Sequence, residues 1–334
     1  MLTSWFKKFQ NNKRGYYSTI IFLIIFTFSI LAEFIANDKS LLIRYQNNFY
    51  FPIFNSYSET VFGGDFETEA DYRDPYVQKL IKKDGFLIFP PIPYSYDTIN
   101  FNLKTPAPAP PSFDNWLGID DNGRDVLARL IYGVRISLIF GLTLTFITSI
   151  IGITLGALQG YFGGLFDILF QRFMEIWSGL PALFLLIILS SIIEPNFWIL
   201  LTIMVLFGWM GLVGIVRAEF LKVRNYDFVK SAKSIGCSNS RIIFRHILPN
   251  ALTSTFATLP FILSGSIITL TSLDFLGFGM PIESPSLGEL LAQGKNNINA
   301  YWLGISGFMA VTILSILLVF IGEAIRDSFN ILEE

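Results

Sequence analysis

One cysteine, Cys237, and one histidine, His246, are all that 334 residues carry of either type. An intramolecular disulfide is therefore excluded, and so is a metal centre built on histidines. A lone cysteine reads as a small packing residue, and His246 as a packing or hydrogen-bonding group. Charge is also scarce: 15% of residues are Asp, Glu, Lys or Arg, against about a quarter in soluble domains. The net charge of −2 offers no basic excess for nucleic acid. No phosphate-cradling G-x-x-x-x-G-K-[ST] loop is present. Its nearest approach, Gly288 to Gly294-Lys295-Asn296, has one residue too many between the glycines and no Ser or Thr. Any ATP chemistry must come from another chain.

What the sequence has is apolar length. Hydrophobic residues make up 52% and mean hydropathy is +0.53, the balance of an integral membrane protein. A bilayer span needs about 20 mostly apolar residues. Six stretches qualify, at 16–36, 136–158, 172–193, 196–216, 252–276 and 303–323. The first follows Lys7, Lys8, Lys13 and Arg14. It is longer than a signal-peptide core and has no A-x-A-like site after it, so it reads as an uncleaved anchor with its N-terminus inside. Loop charge agrees. The loop at 217–249 carries Arg217, Lys222, Arg224, Lys230, Lys233, Arg241 and Arg245 against Glu219 and Asp227. The loop before the sixth stretch has Lys295 as its only base. The expectation is an all-α, polytopic fold with six transmembrane helices, N-in and C-in.

The expected division is 1–36 for the N-terminus and first span, 37–135 for an external insertion, 136–325 for the transmembrane domain, and 326–334 for a cytoplasmic tail. The insertion holds half of the acidic residues and nine of the 15 prolines. Pro-Ala-Pro-Ala-Pro-Pro at 106–111 suits neither a helix interior nor a central strand. Aromatics such as Tyr45, Tyr50, Phe54 and Tyr57 point to a small packed structure rather than disorder. Its end, Asn122 to Arg135, has an amphipathic helical pattern, with Asp125 and Arg129 at i,i+4 spacing. Such a helix lies either in the outer interface or on the insertion's surface.

Four glycines recur at every fourth position, Gly152, Gly156, Gly160 and Gly164, a stripe that lets another backbone approach. The contact is either a moving one or static packing. Glu175 and Asp274 are the best ionisable candidates inside spans. Each either lines a translocation path or sits at a helix end.

The 217–249 loop is the richest stretch. A first helix is expected from Tyr226 to Ile235, with Phe228, Val229, Ala232 and Ile235 on one face. Gly236 stands where a helix ends in left-handed geometry. Ser238 is placed to cap a second helix, which carries Arg241 and Arg245 and is expected to stop before Pro249. The apolar face needs cover, from a partner or from the chain's own spans.

Here a resemblance becomes specific. Lys230-Ser231-Ala232, Gly236 and His246-Ile247-Leu248-Pro249 resemble the loop shared by permease subunits of ATP-binding-cassette importers. The family pattern opens Glu-Ala-Ala where this chain has Lys-Ser-Ala, but Arg245-His246-Ile247-Leu248-Pro249-Asn250 is common in the dipeptide and oligopeptide branch. Leu117-Gly118-Ile119-Asp120-Asp121, Gly123-Arg124-Asp125-Val126, Gly160-Tyr161-Phe162-Gly163-Gly164 and Phe275-Leu276-Gly277-Phe278-Gly279 are also similar to that branch. The external insertion looks like that of the microcin C and peptide importer subgroup.

The resemblance implies one half of a heterodimeric pore of the type I importer fold. A second permease subunit completes it. Two ATP-binding domains dock on the coupling loop and hold the ATP and magnesium, and a periplasmic or lipid-anchored binding protein delivers peptide. This chain would be no enzyme and hold no cofactor. Ser231, Ala232, Gly236, Arg245, Leu248 and Pro249 would carry the ATPase coupling. The rival readings are a nickel or other small-solute permease, an ion-coupled secondary transporter, and a membrane-anchored enzyme.

Overall fold

The computed structural model describes residues 2–330 except 102, 104 and 282, so 331–334 of the expected tail lie outside the described residues. The chain begins with helices α1 (Leu2–Asn11), α2 (Lys13–Ile30) and α3 (Ala32–Ile35). Asn12 caps α2 by accepting from the Gly15 amide at 3.3 Å. The helix then crosses the molecule. A Cβ on Gly15 would strike Ala324 at one end, and Glu33 pairs with Arg135 at the other, 3.1 Å away.

The all-α expectation holds for the membrane part, and the insertion adds one small sheet. Strands β1 (Leu42–Tyr45) and β2 (Asn48–Tyr50) form a hairpin, α4 (Pro75–Asp84) follows, and β3 (Gly85–Ile88) closes an antiparallel sheet of order β2-β1-β3. Helix α4 starts at Asp74, whose carboxylate accepts from the Tyr76 amide at 2.8 Å, with Pro75 in the first turn. Most of the aromatics gather as expected: Tyr45, Phe62, Tyr72, Val77 and Ile81 form a small core, with Tyr50 and Tyr57 packed on it, whereas Phe54 stays outside it and exposed. The chain then returns past the end of α3, where the Ile92 amide donates to Ile35 O and Ile92 O accepts from the Asn37 amide, and the Asn100 amide donates to the Gly123 carbonyl.

No separate amphipathic helix precedes the second span. Helix α5 runs unbroken from Val126 to Phe162 over 37 residues, so the expected boundary at 135 falls inside it. Asp125 is its cap, accepting from Ala128 N at 2.8 Å, and does not pair with Arg129.

The third expected span is broken. Helices α6 (Gly164–Ser178) and α7 (Ala182–Ser190) meet at 52°. Pro181 is the reason: it has no amide to donate and disfavours helix in the residue before it. Helices α8 (Phe197–Gly208) and α9 (Met210–Val223) form one apolar stretch of 27 residues. After α10 (Asp227–Ser234) come α11 (Asn239–Arg241), a π-helical turn at Ile242–Ile247 and α12 (Leu248–Phe275). Helices α13 (Leu287–Asn296) and α14 (Tyr301–Asn330) complete the fold. Among the described residues, four helical stretches are long and apolar enough to cross a bilayer, or five if the bent pair is one span. Helix α2 is not in that set, because its 18 residues begin with Lys13 and Arg14.

Candidate functional site

The basic loop is built on the chain's own spans. Val229 and Ala232 of α10 are buried among Tyr161 of α5, Phe220 and Val223 of α9, and Ile242, Ile243 and Ile247 of the π turn. The expected apolar face is therefore split. Its inner half packs on the spans. Phe228 stays exposed, and Ile235 is 82% exposed.

The turn between the two helices is held by backbone geometry. Gly236 has φ +84°. Its amide donates to Lys233 O at 3.0 Å and the Cys237 amide to Ala232 O at 3.1 Å. These two bonds satisfy carbonyls that the helix end leaves open, and a left-handed glycine is what brings them about. Cys237 then packs half-buried against the core that holds Ala232. Ser238 accepts from the Arg241 amide and starts the next helix.

That helix does not stop before Pro249. Residues Asn239 to Phe275 are one stretch of 37 residues. Proline is tolerated because it stands in the first turn of α12, directly after the wider π turn. The coupling loop is thus continuous with a membrane span. Of the expected coupling residues, Ser231, Gly236, Arg245 and Pro249 are exposed, Leu248 is half-buried and Ala232 is buried. Phe244, 65% exposed, joins Phe228 and Ile235 as an uncovered large apolar side chain of this loop; the sequence reading did not single it out.

Charged and polar groups lock the base. Arg217 forms two bonds to the Asp167 carboxylate at 2.6 and 2.7 Å. Arg224 donates to Gly160 O at 3.0 Å, and Tyr161 hydroxyl to Asn239 at 2.6 Å. Gly152, Gly156 and Gly160 face α9. A Cβ on Gly160 would lie 2.4 Å from Phe220 Cβ and 2.7 Å from Arg217 O. Gly164 does not belong to that stripe: it begins α6 with φ +58° and has nothing within 4 Å of where a Cβ would be. The two positions predict different costs. Gly160→Ala must push α5 from α9 and lose about 1–3 kcal/mol. Gly164→Ala loses about 1 kcal/mol from backbone strain alone. Thermal unfolding of the purified variants in detergent checks the order, and equal melting points would refute the close helix contact.

Glu175 and Asp274 are far from this loop in role. Glu175 is exposed on α6 and pairs with Arg172 at 2.5 Å. Asp274 organises the opposite end of α12: it accepts from Met280 N at 2.7 Å and Ser286 Oγ at 2.5 Å. The Phe275-Leu276-Gly277-Phe278-Gly279 motif is a second left-handed helix stop, with Gly277 at φ +80° and Phe278 N donating to Leu273 O at 2.9 Å.

The largest buried charge cluster was not among the sequence candidates. Arg124 donates to Asp120 at 2.8 Å and to Glu289 of α13 at 2.9 Å. Arg129, fully buried, bonds the other oxygen of Glu289 and the carbonyls of Ser284 and Tyr96. Burial pushes Glu289 above the ordinary glutamate range, opposed by Arg129 and Arg124. The cluster ties the Asp120–Arg124 segment to α13 at the insertion end of the molecule.

A stop-and-restart loop on a basic face, continuous with a span, agrees with comparison to known proteins. The model for the family described as binding-protein-dependent transport system inner membrane component matches residues 152–330. The chain belongs to this family. It is accordingly a multi-pass inner-membrane transport subunit, and the matched region holds the glycine contact, the basic loop and the last span. Over 323 residues it is 56% identical to the inner membrane ABC transporter permease protein YejE of Escherichia coli K12, covering 97% of this chain and 95% of that one. It is 50% identical to the peptidoglycan transport system permease protein YejE of Agrobacterium fabrum, covering 97% and 91%. The oligopeptide transport system permease protein OppC of Lactococcus lactis is 34% identical over 68% of this chain and 79% of its own length. The insertion lies outside the family model, whereas the two YejE proteins match nearly the whole chain.

Proposed function

We propose that this permease forms half of a translocation pore for peptides and transmits the work of separate ATPases through residues 226–249. The observation that carries this reading is the exposed rim of Phe228, Ile235 and Phe244 on a base that is itself buried in the spans. An apolar rim beside a fixed helix stop suits a groove on another protein. Because α10 is packed on α9 and α11 leads without a break into α12, a push on the rim moves two spans together. ATP and magnesium belong to two partner ATP-binding domains. A second permease subunit completes the pore, and a periplasmic or lipid-anchored binding protein supplies cargo.

Peptide as cargo is supported by the oligopeptide permease relatives and by the relative named for peptidoglycan, a polymer with peptide stems. The cargo class is then a short peptide, free or attached to another group, including peptide antibiotics of the microcin C type. Co-purification from native membranes in mild detergent tests the assembly. A second permease and ATPase subunits should be recovered with this chain. Recovery of this chain alone under gentle crosslinking would instead favour a self-sufficient transporter. Competition of uptake by peptides but not by nickel then tests the cargo.

A further inference from the structure

The turn that follows β2 is unusual for an exposed loop. Residues Phe51-Pro52-Ile53-Phe54-Asn55 carry no charge, whereas exposed turn tips are normally polar. The turn is well formed, with the Phe54 and Asn55 amides both donating to Phe51 O, at 3.0 and 3.2 Å. Phe54 is 70% exposed and Phe51 is also exposed. Phe54 sits edge-on to Phe34 of α3, with ring centroids 6.0 Å apart.

That contact places the turn beside the end of the first helices. Phe34 stands next to Glu33, whose carboxylate accepts from Arg135 and from the Tyr132 hydroxyl. A partly exposed ion pair beside apolar helix belongs at the edge of the hydrocarbon, since charge within it is costly. Immediately below, Ile24, Phe28 and Leu31 are exposed along α2 and the bend after it. Their spacing puts them on one helical face, and Phe34, three residues further on, meets Phe54. Aromatic rings are favoured at this headgroup level.

We propose that the Phe51–Asn55 turn is a membrane anchor, resting its exposed phenylalanines among the phospholipid headgroups and upper acyl chains beside the end of the first helix. The insertion is thereby held against the bilayer at two points, through α3 and through this turn. The inference goes beyond the transport reading and does not rest on it.

The test places photoreactive p-benzoyl-phenylalanine at position 54, and separately at 51, in the full chain within its native membrane or in phospholipid nanodiscs. Both side chains are exposed, so the larger ring requires no repacking. After illumination, the adduct is read by mass. A phospholipid adduct as the major product at both positions is the expected result. A major adduct to another protein subunit would overturn the anchor and make the turn a protein contact. Absence of any adduct, with the group intact, would place the turn in water and also overturn it.

Discussion

Gly236→Val should reduce ATP-driven uptake by at least about tenfold at equal membrane level, the loss that about 1.4 kcal/mol at the coupling turn would produce. The reasoning is confined to backbone geometry. Gly236 has φ +84° and nothing within 4 Å of its missing Cβ, so a new side chain meets no clash with neighbours. The strain is instead internal: an L-residue in the left-handed region costs about 1–2 kcal/mol, and a β-branched one is a more serious outlier. Escape from that strain means giving up the Gly236–Lys233 and Cys237–Ala232 bonds, and with them the angle between α10 and α11. Ile235, at the rim, then points elsewhere. Gly236→Asn supplies the control, since Asn accepts left-handed geometry better than other side chains, and it should retain most of the uptake. The strain should lower the detergent melting point of the valine variant modestly and that of the asparagine variant less, so uptake is compared at equal amounts of folded protein. Normal uptake by the valine variant would sink the coupling role of this turn.

The turn was legible because its signals are local. Gly236 ends one helix and Ser238 begins the next, and each acts on bonds within five residues of itself. The close contact at Gly152, Gly156 and Gly160 was legible for a similar reason, since period four on a helix defines one face. Gly164 has the same spacing but stands after the break at Gly163, where the period no longer means a face. Long-range chemistry was not legible. Asp125 and Arg129 have the spacing of a helical ion pair, yet Asp125 spends its carboxylate on the α5 cap and on Asn115, and Arg129 finds Glu289, which is 160 positions away. Short elements were missed too. Strands β1 to β3 are three or four residues long, and the hairpin tip is Gln46-Asn47 at φ 45° and 66°, without the glycine that usually announces such a turn. Pro249 read as a stop because a proline inside a helix would be one. Here it falls directly after a π segment, where the Leu248 amide reaches back to Ile243 O and the widened turn makes room for the ring.

Arg129→Met should be the most destabilising of these changes, lowering the melting point in detergent by several degrees for a loss of about 3–5 kcal/mol. Arg129 is fully buried, and Asp120 and Glu289 are held against it and Arg124. Methionine fills most of the same volume, so the loss comes from two carboxylates left with one arginine in a buried site rather than from a cavity. The variant should respond to pH in a defined direction. Burial already raises Glu289, with Arg129 the first of the charges that oppose it. Without Arg129 the folded-state value rises further above the unfolded one. Such a group favours the fold when protonated, and that contribution is lost as pH rises through the folded value. The stability deficit of Arg129→Met should therefore shrink on acidification from about pH 7.5 to about pH 5.5. Arg129→Met/Glu289→Gln removes the titrating group. It should recover part of the stability at the higher pH and lose the acid rescue. A single variant that melts like the unmodified protein, or one whose deficit grows on acidification, would mean that the buried pair does not hold α13 to the start of α5.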